Sequence, residues 1–202
     1  MKKALLLLLI SLSFYSLKPT DKSLTKQERD FAVQFMIQGR DSIIMDVKGL
    51  STAQLNWKAD STRWSVAQCV EHIALAEGML MGVVQMNLQP AADPSKRDSL
   101  KYTDQQIMGF LSNRTQKFQA PDMLKPDGKI GPYPAALDSF IARRNRNIEF
   151  VKTTQADFRD HYWVVPNFGM IDDYQALLFM VAHSKRHTKQ LEEVKATPGF
   201  PN

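Results

Sequence analysis

The chain has 202 residues, 44% of them apolar, which is enough for a substantial core and excludes a disordered tail, a collagen or a short disulfide scaffold. Its 26 Lys and Arg against 21 Asp and Glu give a net charge of +5, too small and too dispersed an excess to point to nucleic acid, and no nucleic-acid partner is expected. The one cysteine, Cys69, rules out an intramolecular disulfide and a cysteine-rich zinc module, so any chemistry must use histidine, carboxylate, hydroxyl or a single thiol.

The N-terminus runs from Met1-Lys2-Lys3 through an apolar stretch, Ala4 to Ile10, into the small residues Ser11-Leu12-Ser13. That order is the signature of a secretory signal peptide. The apolar run falls short of the ~20 residues that span a bilayer. Residues 1–18 are therefore expected to be a signal peptide, cleaved between Phe14 and Asp21, with residues 19–202 forming one exported domain. The mature protein is expected to be periplasmic or extracellular, with no stable membrane span.

Thr25-Lys26-Gln27-Glu28 has capping-box spacing, and Phe31, Phe35, Ile43, Ile44 and Val47 follow at roughly helical intervals up to Gly49. A first long helix is expected over about 25–48. The stretch from Leu55 to Trp64 reads as turn-forming apart from its tryptophans, and Ser65-Val66-Ala67-Gln68 opens a second long helix over about 66–88. On that helix Cys69, His72, Ala76, Met79 and Val83 share one face.

Six of the ten prolines fall within residues 90–134, forbidding a long uninterrupted helix there. A short helix could open at Thr103-Asp104-Gln105-Gln106 and run through Leu111, and the remainder reads as a long crossover. A third long helix is expected from Ala135 to Thr153. An extended aromatic segment, 160–169, leads to the cap Asp172-Asp173-Tyr174-Gln175 and a fourth long helix ending near Lys195. Together these elements describe an all-α protein, an antiparallel four-helix bundle with a long proline-rich crossover between its second and third long helices.

The chemistry concentrates in the histidines. His183 and His187 lie four apart and so on one face of the last helix, in the apolar stripe of Ala176, Phe179, Met180 and Leu191. His72 sits on the apolar face of its own helix. Uncompensated imidazoles in a core cost free energy, and bundles build metal sites from inward side chains on facing helices, so the three could share one divalent metal.

These residues also carry a resemblance. Trp64-Ser65-Val66-Ala67-Gln68-Cys69-Val70-Glu71-His72-Ile73 resembles the tryptophan-serine helix start and metal histidine of the DinB-like superfamily, and His183-Ser184-Lys185-Arg186-His187-Thr188-Lys189-Gln190-Leu191 resembles that family's last-helix motif. The resemblance runs over most of residues 24–198. It implies a four-helix bundle holding zinc or nickel through His72, His183 and His187, and relatives that include hydrolase-like enzymes and thiol-dependent S-transferases and isomerases. Export argues against thiol cofactors, which are kept chiefly in the cytoplasm.

Three further residues lie near this constellation. Cys69, one turn before His72, reads as a core residue that could also reach the metal or act as a nucleophile. Glu71 points ~100° away from His72 and reads as a surface charge or an outer partner of the site. Gln190, one turn past His187, could orient a ligand or bind substrate. His161 reads as an exposed loop histidine. Arg143, Arg144 and Arg146 read as a solvated helix face, with an anion site as the alternative. The crossover and the aromatic segment would wall the pocket. The substrate is a small molecule of unspecified identity, a homodimer stays open, and a non-catalytic metal-stabilised binding module is the alternative to an enzyme.

Overall fold

A computed structural model describes residues 23–166 and 168–202. The expected signal peptide lies outside the described residues. Four long helices, α1 (Lys26–Val47), α3 (Val66–Asn87), α5 (Tyr133–Thr153) and α6 (Asp173–Lys195), form the bundle. Two short helices, α2 (Thr52–Asn56) and α4 (Asp104–Ser112), and a hairpin of β1 (Tyr162–Val165) and β2 (Gly169–Asp172) fill the connections.

Reciprocal capping boxes start α1 at Thr25, α3 at Ser65, α4 at Thr103 and α6 at Asp172, as the spacing predicts. A further one at Ser51 with Gln54 starts α2, whose last two residues enter the stretch from Leu55 to Trp64 that reads as turn-forming. Helix α5 begins at Tyr133, ahead of the expected Ala135, because Pro134 sits in the first turn where its missing N–H leaves no bond unmade.

The long helices alternate in an order different from the chain order. Helix α5 packs between α1 and α3, and α6 packs between the same two on the other side. Contacts fix their senses. Arg144 donates to the Met36 carbonyl and Arg29 to that of Val151, so α1 and α5 run antiparallel. Asn87 meets Asp173 while His72 meets His183, so α3 and α6 do as well. By contrast, Arg143 reaches Ala74 and Asn147 reaches Glu77, so α3 and α5 run parallel. Tyr174 bonds Glu28 and Lys195 bonds Asp46, placing α1 parallel to α6.

The parallel sense of α3 and α5 explains the long crossover. A helix of 22 residues is about 33 Å long, and the chain must return that whole distance before α5 can start alongside α3. Residues 88–132 make the return, with α4 packed on α6.

The core is stacked along the bundle axis. A large cluster around Met36, Val84, Phe158, Ile171 and Leu177 fills the end holding the hairpin. Ile43, Ile73, Ala74 and Phe140 form the middle, and Val47, Val66, Cys69, Ala136 and Leu191 fill the other end. Gly39 permits the close approach of α1 to α6, since a Cβ there would stand 3.0 Å from Val181 Cγ1 and 3.1 Å from Arg144 Nη1.

One expected solvated face is a core feature. Arg144 is wholly buried and forms a two-pronged ion pair with Glu77, also buried, while also donating to Ser184 Oγ. Arg143 turns to the Ala74 carbonyl and only Arg146 of the three is exposed. A charge repeat on a helix records nothing of a carboxylate placed 67 residues away in sequence.

Candidate metal centre

His72 projects from α3, and His183 and His187 from successive turns of α6, so that the antiparallel packing of these two helices brings all three imidazoles together. Their Nε2 atoms approach within 3.3 Å for His72 and His183 and 3.2 Å for His183 and His187. Among the described residues this is the group of side chains arranged to hold a metal ion. His72 and His187 are buried and His183 is half-buried.

The outward nitrogens are anchored. The Nδ1 of His72 lies 2.8 Å from the Leu124 carbonyl oxygen, and that of His187 lies 2.9 Å from Gln190 Oε1. Both partners are acceptors, so both Nδ1 atoms carry the proton and both Nε2 atoms present bare lone pairs. These two lone pairs face the third Nε2, which can donate one proton at most. One acceptor is therefore left unmatched among the three, and a cation resolves the conflict. Four ligands around zinc at ~2.0–2.1 Å stand about 3.3 Å apart at a tetrahedral edge, the spacing seen here for two of the three nitrogen pairs.

Electrostatics point the same way. Burial holds His72 below its ordinary value, and burial with repulsion from His72 and Arg186 pushes His183 down to about 3. Burial and the two neighbouring imidazoles hold His187 well below its ordinary value. All three are neutral at pH 7, the form that ligates metal.

The surrounding shell was partly legible in the sequence. Gln190 bonds His187 as described, and its Oε1 also lies 3.4 Å from Arg114 Nη1, whose guanidinium is forked onto Glu193 at 2.6 and 2.7 Å. Glu71 is not a surface charge: it is buried, and its carboxylate accepts from the backbone N–H groups of Gly128 and Ile130 in the crossover. Cys69 belongs to the apolar cluster with Val66 and Leu191, outside the histidine group, and burial pushes its thiol up to about 12.

The crossover reaches the histidines through Leu124, while the aromatic segment meets α6 at Phe179, one turn before His183. His161 is buried rather than exposed, its ring nitrogens facing the carbonyl oxygens of Asp157 and Pro90. Sequence reasoning did not assign three neighbours of the site. The Trp64 ring packs 4.8 Å from the His72 ring and 6.1 Å from that of His187, centroid to centroid. Arg186, between the two α6 histidines in sequence, donates to the Asn113 and Gln116 carbonyls of the crossover and packs on Phe118. Arg114 is the third, and nothing in its local sequence marks it.

Known proteins resemble the chain in sequence and in fold. A protein from Bacillus subtilis, the uncharacterized YuaE, is 23% identical over 152 residues, covering 74% of this chain and 88% of its own. The solved structure of Bacillus subtilis YfiT, described as a probable metal-dependent hydrolase with an unusual four-helix bundle topology, superposes with a TM-score of 0.58 at 18% identity, covering 91% of this chain and 94% of its own. The sequence pattern of the DinB superfamily matches residues 37–191, which include all three histidines, and the chain belongs to that superfamily.

Proposed function

We propose that this protein is an exported metal-dependent enzyme of hydrolytic type, with His72, His183 and His187 as the ligands of one zinc or nickel ion. The observation that carries the reading is the pair of anchored Nδ1 protons, which leaves two bare Nε2 lone pairs converging on a third imidazole. The description of YfiT as a probable metal-dependent hydrolase supports the reaction class. Three neutral ligands with a further position free is the pattern of catalytic rather than structural zinc, and an ion so held supplies Lewis acidity.

The chain's own residues have definable parts in this reading. Leu124 and Gln190 fix the tautomers and the ring orientations of His72 and His187. Trp64 covers one side of the imidazole group and keeps water from it. Arg114 and Glu193 hold Gln190 in place. Cys69, a thiol at neutral pH within the core, takes no nucleophilic part.

The second reading, a metal-stabilised binding module without turnover, draws on one feature. Among the described residues the group arranged for metal binding contains no carboxylate that could serve as a base.

Metal analysis of protein never exposed to chelator tests the reading, with wild type compared to the triple change His72→Ala, His183→Ala and His187→Ala. One equivalent in the wild type and none in the variant is expected, and no equivalent in either sinks the proposal. Hydrolysis by the loaded protein across ester, amide and phosphoester substrates separates the enzyme from the binding module. Export is tested by mass spectrometry of the N-terminus of protein recovered from outside the cytoplasm, with a start between Phe14 and Asp21 expected.

A further inference from the structure

The residues next to the histidines in sequence point away from them and grip the crossover. Glu71, adjacent to His72, accepts from the N–H groups of Gly128 at 3.1 Å and Ile130 at 3.3 Å. Arg186, adjacent to His187, donates to the carbonyls of Asn113 and Gln116. Between those two grips, the carbonyl of Leu124 receives the Nδ1 proton of His72 at 2.8 Å. Three successive points of one proline-rich segment are thereby tied to α3 and α6 at the level of the histidine group.

We propose that Glu71 and Arg186 are positioning residues for the metal centre, acting through the crossover: they hold residues 113–130 so that the Leu124 carbonyl fixes the tautomer and direction of His72. The inference rests on the metal-binding reading above and deepens it.

The physical argument is one of local alternatives. A segment with Pro121 and Pro126 has no helix or sheet ladder to hold its backbone, and its only regular element near His72 is a single 3-10 turn, Asp122–Leu124. Its position depends on bonds to side chains of the bundle. Glu71 supplies two of them from a buried carboxylate, a charge-assisted arrangement that is stronger than neutral pairs. Without it, the segment loses the two bonds at Gly128 and Ile130 that tie it to α3 beside His72, and His72 Nδ1 loses a fixed acceptor. A histidine free to take either tautomer presents its Nε2 lone pair only part of the time, and partners of this kind are worth 10–100-fold in metal affinity. Linkage makes the effect reciprocal, so a cation at the three histidines also holds the crossover in place.

The test uses Co2+ as probe, read by its visible absorption, together with trypsin cleavage at the exposed Lys117 and Lys129 of the crossover. Wild type is expected to bind one Co2+ with a tetrahedral-type spectrum and to become several-fold slower to cleave at these lysines on binding. Glu71→Ala should bind at least tenfold more weakly and lose most of that protection, with Glu71→Gln, which keeps one acceptor oxygen, in between. Arg186→Met should show the same loss. Phe158→Leu, a destabilising change at the far end of the core, should keep wild-type Co2+ affinity and so separate positioning from general loss of stability. Equal affinity and equal protection in wild type and Glu71→Ala overturns the proposal while leaving the metal site standing. Binding of no Co2+ by the wild type overturns both.

Discussion

Arg144 of α5 and Glu77 of α3 meet as a fork in the middle of the bundle, Nε to Oε1 at 2.7 Å and Nη2 to Oε2 at 2.7 Å, with side-chain exposures of 0% and 1%. The same guanidinium donates to the Met36 carbonyl of α1 and to Ser184 Oγ of α6, and Asn147 donates to Glu77. One ion pair therefore touches all four long helices. It also reaches α6 at the residue following His183, which ties the rotation of that helix to the rest of the bundle.

Removing one partner leaves the other charge buried without compensation. Glu77→Ala or Arg144→Ala should each destabilise the protein by about 3–5 kcal/mol. The double change Arg144→Met with Glu77→Leu should cost less than either, because no charge is stranded. Urea unfolding of the three variants checks this, and a double variant less stable than both single ones would show that the pair contributes more than it costs to bury.

Removal of the metal should be visible as stability. A ligand bound only by the folded state adds RT ln(1 + [L]/Kd), ~2.7 kcal/mol at a hundredfold excess over Kd. Chelation of the loaded wild type should lower its midpoint of thermal unfolding. Chelator should leave the His72→Ala, His183→Ala, His187→Ala protein unmoved. The comparison fails if the triple variant responds to chelator as the wild type does.

Why some of this was readable and some was not follows from what local sequence encodes. Capping boxes at Thr25, Ser65 and Asp172 are complete within four residues, so three of the four long helices were placed nearly to the residue. Helical phase puts His72, His183 and His187 on buried faces, and a shared buried face is enough to suggest convergence. Phase says nothing about which helices are neighbours or in what direction they run, so the parallel packing of α3 with α5 could not be read. Nor could the burial of Arg144, Glu71 and His161, since each depends on a partner supplied from elsewhere: a carboxylate on another helix, backbone N–H groups of the crossover, and the carbonyls of Asp157 and Pro90. The hairpin strands have four residues each, too short for an alternating pattern to stand out.

Trp64 offers a direct optical report on the site. Its ring lies against His72 and His187, whereas Trp57 packs on Phe200 and Trp163 on Phe179. Binding of Ni2+ or Cu2+ at the histidines should quench the share of tryptophan emission that comes from Trp64. In Trp64→Phe the remaining two tryptophans should respond weakly while the cation is still bound. Quenching of the same depth in Trp64→Phe would place the bound ion away from the three histidines.

Asp173 gives the fold a pH dependence of defined sign. The residue is fully buried in the first turn of α6, where Asn87 Nδ2 donates to Oδ1 at 2.9 Å and Oδ2 has no hydrogen-bond partner among the described residues. Burial pushes its carboxyl from 3.8 up to about 7, with the Asn87 bond and the charge of His161 offsetting part of the rise. The folded state thus holds this proton more tightly than the unfolded chain does. The associated stability is fully present below about pH 4 and is lost as pH rises through about 7. Each unit of difference is worth ~1.4 kcal/mol, so the effect is of the order of a few kcal/mol. Asp173→Asn keeps the shape and removes the titration. Relative to wild type, the variant should gain stability steadily between pH 4 and pH 7 and then level off. Urea unfolding of the two proteins across that range measures the difference, and a difference that stays flat with pH would mean that the carboxyl is ionised in the folded state throughout.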